Sequence, residues 1–385
     1  MQKLRGLVGL FCGIALSGLC AGQLPPEMSQ LLRERNLPED ALGAVVLRLS
    51  DGKTVFTHRA EKALQPASTM KVLTAIVGLE RLGPAYRSRT ELWSAATIDQ
   101  GVLKGDLVLR GLGDTDFNWE DLQRMLQRLR HRGITEIQGD LIVDRRFFQP
   151  GRLDVGLPPF DESPEFRYNV IPDALLINTN LVQLEIETNN VGIQIRQTPP
   201  LDRVSVMSNM TFSDRVCEKW EDDWKIPSTV IANNGEIRVY LNGRFPKNCA
   251  QTVSINVIDR ADFMDRLFRT LWRDLGGAFN GKLREADAAA APTGMTLSNR
   301  LLAEHRARPL AEVTRNINKI SDNTITRTIY LTLGTLDTTS ATVPTLKKAE
   351  AEIRSWLKQH AIDDADLVLE NGSGLSRTER IKPAQ

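Results

Sequence analysis

Apolar positions along the chain change period several times, and each change marks an element. From Ser68 onward Met70, Leu73, Ile76, Val77 and Leu82 recur at helical spacing, and Gly83-Pro84 supplies a stop. Upstream, the pattern predicts a short helix at 26–35 and a hairpin. Its arms are Ala44 to Leu49 and Thr54 to Thr57, turning at Asp51-Gly52. Strands such as Leu103 to Arg110 follow, then a helix with Leu122, Met125, Leu126 and Leu129 on one face, capped by Asn118 and Asp121, and a strand from Gly139 to Asp144. Residues 150–175 are proline-rich and irregular. Alternating strands dominate 176–258, for example Val182 to Glu187 and Glu236 to Leu241. A helix over 261–275 ends at Gly276-Gly277, and Ala286 to Thr293 reads as a linker. Helices are then expected around 297–305, 309–320, 324–334 and 345–360. A strand at 365–370 runs into Asn371-Gly372-Ser373-Gly374. The fold class is mixed, α/β in content and α+β in arrangement.

The 385 residues are 41% hydrophobic and 25% charged, as a folded chain of two or three domains would be. With 49 Lys and Arg against 48 Asp and Glu the net charge is +1, which argues against nucleic acid as a partner of the whole protein. Residues 1–22 read as a secretory signal peptide: Lys3 and Arg5 precede the apolar run Leu7 to Leu19, and Ala21 and Gly22 offer a cleavage site. Leu19 before Cys20 argues against lipid attachment there, and no later stretch is long and apolar enough to span a membrane. Cys217 and Cys249 then remain, expected as a disulfide in an oxidising compartment, with two free buried thiols as the alternative. Four histidines without paired spacing and no glycine-rich phosphate loop lead us to expect neither metal nor cofactor.

The candidate chemistry is a serine and a lysine three residues apart. Ser-x-x-Lys occurs at Ser50, Ser68 and Ser355, but the first falls in the hairpin turn and the last in mid-helix. Only Ser68 stands at a helix start, where positions i and i+3 share a face and the amino terminus favours developing negative charge. A serine hydroxyl needs such a neighbour to act as a nucleophile, and Lys71 is the base within reach. Ser321-Asp322-Asn323 lies in a short loop between two predicted helices, a place that holds polar groups at a cleft edge. There Ser321 can pass a proton, and the Asn323 amide can orient both a substrate and Lys71.

Ser-x-x-Lys followed by Ser-Asp-Asn is shared by penicillin-binding proteins and class A β-lactamases. Gln65 to Ala75, Tyr168 to Leu176 with Asn178 to Asn180, Asn318 to Asn323 and Asn371 to Arg377 more closely resemble the D-alanyl-D-alanine carboxypeptidase/endopeptidase family of the penicillin-binding protein 4 type, peptidase family S13. The 253 residues between Ser68 and Ser321 match the insertions of that family. The resemblance implies a transpeptidase-like domain from 23–90 and 259–385, with an inserted α/β segment at 91–165 and an inserted β-rich segment at 166–258. It implies a periplasmic hydrolase that cleaves D-Ala-D-Ala in peptidoglycan stem peptides through an acyl-enzyme on Ser68 and is acylated by penicillins. Arg377 would line the cleft, and Asp161 or Glu162 would meet an amino group of the stem peptide. One departure stands out: no Lys-Thr-Gly follows Asn323. On the family pattern this implies a chain that stops before that strand, and it opens a second reading as a non-catalytic penicillin-binding or structural protein.

Overall fold

A computed structural model describes residues 23–287, 300–340 and 342–385. The signal-peptide reading at 1–22 and most of the predicted linker at 286–293 lie outside them. Among the described residues the helices are α1 (Pro26–Glu34), α2 (Met70–Arg81), α3 (Trp119–His131), α4 (Arg260–Asp274), α5 (Leu310–Ile320), α6 (Asn323–Gly334) and α7 (Thr345–Gln359). None of them is long and apolar enough to cross a membrane.

The chain divides into two compact units. The smaller contains residues up to Pro66 together with Ile362–Val368 and Glu379–Gln385. It carries α1 and the antiparallel hairpin Ala44–Leu47 with Thr54–His58. Ser50 to Lys53 lies in the turn of that hairpin, which removes the first Ser-x-x-Lys from consideration as a helix start. The strand expected at 365–370 is not formed: single antiparallel bridges join Leu64 to Ile381 and Val368 to Arg380 instead.

The larger unit, Ala67–Ala361 with Leu369–Thr378, holds the remaining helices and the other sheets. A five-stranded sheet runs in the order Leu283–Glu285, Leu141–Asp144, Leu107–Leu112, Arg89–Ser94, Arg300–Arg306. Its last strand replaces the helix expected around 297–305. Leu301, Leu302, Ala303 and Glu304 favour helix locally, but antiparallel pairing with Arg89–Ser94 buries Leu302 and Ala303, and tertiary burial outweighs propensity. Val182–Thr188 pairs with Ile193–Thr198 and Ala250–Ile255, while Ile237–Pro246 organises a separate four-stranded sheet. Leu92, Leu109, Leu126, Ile186, Val239, Phe263 and Phe268 belong to one continuous core beneath these sheets, α3 and α4. The α3 cap is built as the sequence predicts: Asn118 accepts from Asp121 N and Asp121 accepts from Asn118 N.

Every residue of α6 except the half-buried Ile325 is buried. Its threonines make this possible. Thr326, Thr328 and Thr332 return their hydroxyls to carbonyls four residues back, at 2.6, 3.0 and 2.8 Å, so no polar atom of these side chains asks for water. Beside it α5 contributes Leu310, Val313 and Ile317 to a small core with Ile329.

Candidate active site

Ser68 sits in a single 3-10 turn, Ala67–Thr69, that leads into α2, so the expected helix start is present one residue further along. The side chain is exposed, whereas Lys71, in the first turn of α2, is 2% exposed. The other two Ser-x-x-Lys matches lack this arrangement; Ser355 is inside α7. An accessible hydroxyl over a buried amine is what a nucleophile and its base require.

Segments far apart in sequence converge on this pair. Ser321 occupies the left-handed position that ends α5, with φ 59° and ψ 41°, and its hydroxyl donates to Ser68 Oγ at 2.8 Å. Asp322 caps α6 by accepting from Ile325 N at 2.9 Å. Asn323 therefore opens a buried helix, and its Oδ1 accepts from Lys71 Nζ at 2.7 Å. The same amine lies 3.0 Å from Ser68 Oγ and 2.6 Å from the carbonyl oxygen of Ser373. The Ser373 loop is tied down by Thr74 Oγ1, which donates to Gly372 O at 2.7 Å, and by Arg327 of α6, whose Nε lies 3.3 Å from Ser373 Oγ. Thus Ser68, Lys71, Ser321 and Asn323 are brought within one hydrogen-bond network.

The cleft beside this network has a volume of about 910 Å³. Phe160, Asn169, Arg327, Asn371, Leu375 and Arg377 are among the residues that line it. Asn371 and Leu375, which line the cleft, bracket Ser373, whose carbonyl reaches Lys71; Ser68, Lys71, Ser321 and Asn323 are not themselves among the lining residues. Arg377 lies over the Phe160 ring at 4.9 Å and donates to Phe160 O at 3.1 Å. Asp161 accepts from Ser163 N, Asn169 Nδ2 and Tyr168 Oη at 3.0, 2.8 and 2.8 Å. Desolvation opposes ionisation of Asp161, but these three donors and the Arg377 charge together hold its carboxyl below the ordinary range. Desolvation and the neighbouring carboxylate push the Tyr168 phenol up, so it remains a donor. Glu162 is exposed and Asp161 half-buried.

Cys217 and Cys249 are joined as a disulfide, closing a separation of 32 residues. Among the described residues no group of three His, Cys, Asp or Glu side chains is placed to hold a metal ion.

Sequence reasoning missed three contributors. The Ser373 carbonyl and the Tyr168 carbonyl, which accepts from Asn323 Nδ2 at 3.0 Å, are main-chain groups, invisible to residue type, and Arg327 looks like any helical arginine until α6 is known to be buried. The signals available were the family resemblance of the stretches that hold Tyr168 and Ser373 and the glycine pair flanking Ser373.

A family model described as the D-Ala-D-Ala carboxypeptidase 3 (S13) family matches residues 24–385. The chain is 24% identical over 357 residues to D-alanyl-D-alanine carboxypeptidase DacB of Haemophilus influenzae, covering 91% of this chain and 70% of that protein. It is 24% identical over 371 residues to a D-alanyl-D-alanine carboxypeptidase of an Actinomadura strain, covering 94% of this chain and 66% of that one. The fold is similar to the crystal structure of penicillin binding protein 4 from Haemophilus influenzae, with a TM-score of 0.72, 24% identity, and coverage of 92% of this chain and 75% of the other. The structure of that protein complexed with a β-lactam gives a TM-score of 0.67 at 22% identity. With the model match spanning almost every residue from 24 onward, the chain belongs to the D-Ala-D-Ala carboxypeptidase 3 (S13) family.

Proposed function

We propose that the protein is an exported serine DD-peptidase, acting on peptidoglycan stem peptides that end in D-Ala-D-Ala, and that penicillins acylate it. The observation that carries this reading is the placement of Lys71 Nζ 3.0 Å from Ser68 Oγ with Ser321 Oγ 2.8 Å from the same oxygen. Ser68 Oγ attacks the carbonyl carbon between the two D-alanines, and its proton passes to the Lys71 amine. Asn323 and the Ser373 carbonyl hold that amine while its lone pair faces Ser68. The tetrahedral adduct collapses by breaking the C–N bond, and the proton travels from Lys71 through the Ser321 hydroxyl to the departing D-alanine nitrogen. Water then attacks the ester carbonyl, gives its proton to Lys71, and releases the shortened peptide as Ser68 Oγ takes that proton back.

On this reading Arg377, which lines the cleft, receives a carboxylate of the stem peptide, and Asp161, next to the lining residue Phe160, receives an amino group. The disulfide supports export to an oxidising compartment, the periplasm. The catalytic domain would comprise 23–90 and 259–385, with 91–165 and 166–258 inserted. The packing of α2 with α5, α6 and α7 supports it, although Leu283–Glu285 and Arg300–Arg306 extend the sheet of the first insert.

The test is covalent labelling by a fluorescent penicillin together with release of D-alanine from a pentapeptide. Wild type takes up one label and releases D-alanine; Ser68→Ala does neither. Unlabelled wild type, or a variant labelled as strongly as wild type, would sink the reading.

A further inference from the structure

The turn Arg167–Asn169 touches the Ser-Asp-Asn loop with one side and the Asp161 carboxylate with the other. Its Tyr168 carbonyl accepts from Asn323 Nδ2 at 3.0 Å. A carbonyl can face only the NH₂ end of that amide, so this contact decides which way Asn323 is turned and points Oδ1 at Lys71. Arg167 pairs with Asp322 at 2.7 Å, and Thr324 Oγ1 donates to Val170 O at 3.0 Å, so the turn grips three consecutive residues of the loop and helix start. On its other side the Tyr168 hydroxyl donates to Asp161 Oδ2. The turn between these contacts is stiff: Asn169 N bonds Phe166 O, Val170 N bonds Arg167 O, and the Asn169 amide bonds both Asp161 and Ser163 O.

We infer that Tyr168 is a positioning residue that couples the occupant of the Asp161 subsite to the placement of Asn323. The coupling rests on the proposed DD-peptidase reading and adds to it a route by which a substrate side chain sets the chemical step. A carboxylate accepts about four hydrogen bonds. Oδ1 of Asp161 carries two donors, and Oδ2 carries the phenol alone among the described residues, which leaves Oδ2 as the oxygen for an incoming ammonium. An ammonium there draws the carboxylate and the phenol into one fixed arrangement. The Tyr168 carbonyl, two bonds from the same Cα as the ring, is fixed with it. The side chain then acts on kcat, through Asn323 and Lys71, as well as on binding.

Two peptides ending in D-Ala-D-Ala separate the possibilities, one whose preceding residue carries a free side-chain amine and the same peptide with that amine acetylated. Wild type turns over the free-amine peptide with the higher kcat. Tyr168→Phe, which keeps the ring and the backbone, lowers kcat for that peptide about five- to tenfold, the factor one hydrogen bond carries, with KM within about twofold. The ratio of kcat values, free-amine peptide over acetylated peptide, falls by that same factor in Tyr168→Phe. A change in KM alone, or equal losses on both peptides, overturns the coupling while leaving the peptidase reading standing. Equal kcat values for the two peptides in wild type overturn it as well. A wild type that takes no penicillin label and cleaves neither peptide overturns both. The melting temperature of Tyr168→Phe, expected unchanged because the side chain is 40% exposed, confirms that the fold is retained.

Discussion

Gly374→Ala tests the architecture around Lys71 at its tightest point. Gly374 has φ 78°, and a Cβ placed on it would stand 1.7 Å from the Ala67 carbonyl oxygen and 3.0 Å from Ser68 N. The obstacle is backbone on the turn that carries the nucleophile, so no side-chain rotation relieves it. Restoring an ordinary contact requires the loop to retreat by roughly 1.8 Å, since non-bonded heavy atoms approach to about 3.5 Å. Such a retreat breaks the 2.6 Å contact of Ser373 O with Lys71 and the 2.7 Å bond of Thr74 to Gly372 O. Each of these hydrogen bonds contributes about 1 kcal/mol. Left-handed backbone at alanine adds about 1–2 kcal/mol. The sum, about 3–4 kcal/mol, is a large fraction of the stability of a typical domain, so the loop releases locally instead of holding its place.

Lys71 would then keep Ser68 and Asn323 but lose the Ser373 carbonyl. Acylation is expected to slow roughly 100-fold, equivalent to about 2.7 kcal/mol of transition-state stabilisation. The assay is the second-order rate of labelling by a fluorescent penicillin, with thermal unfolding followed in parallel. Gly192→Ala is the control, because a Cβ there meets nothing within 4 Å. Labelling of Gly374→Ala within about threefold of wild type would refute the view that the Ser373 carbonyl is held on Lys71 by close approach of the two backbones.

Two further expectations concern stability. His305 lies 2.8 Å from Asp114 and 3.2 Å from Asp121; burial opposes its protonation, but the Asp114 hydrogen bond and the Asp114, Asp121 and Asp116 charges raise its pKa above the ordinary 6.5. The imidazolium therefore contributes stability that is full below about pH 6.5 and is lost as pH rises through the raised value. Thermal melts should show wild type exceeding His305→Gln by more at pH 6 than at pH 9, and a pH-independent gap would contradict this. Replacing Cys217 and Cys249 by serine opens a loop of 32-residue separation and should cost roughly 3–4 kcal/mol in urea unfolding while leaving the penicillin-labelling rate unchanged. A loss under about 1 kcal/mol would show that the unfolded chain is already restrained there.

What could be read from the sequence follows the range of the interactions involved. The Ser68–Lys71 pair was legible because three residues on a helix are neighbours whatever surrounds them, and the Asn118–Asp121 cap for the same reason. Arg300–Arg306 was misread because its strand character comes from Arg89–Ser94, some two hundred residues earlier. Asp173 lies in a stretch that the sequence marks by irregularity and family resemblance but not by any pattern that gives its partners. Its carboxylate is fully buried and bonded to Arg145 at 3.0 Å and Arg260 at 2.8 Å, a pairing of three distant segments that no local pattern announces.

The same distinction explains the construction of the site. Local spacing supplies a serine with a lysine beside it, and such a pair occurs three times in this chain. What separates Ser68 from Ser50 and Ser355 is the set of acceptors on the lysine, Asn323 Oδ1 and Ser373 O, which arrive from 252 and 302 residues away. Both are held by α6: Asn323 is its first residue and Arg327, one turn on, holds the Ser373 loop. A helix that places two partners on one amine must not slide or rotate. Burial of all but Ile325, with internally bonded threonine hydroxyls, prevents this, because any displacement would strand polar groups away from water. The polar face of α6, unusual for a core helix, is thus what fixes the geometry of Lys71.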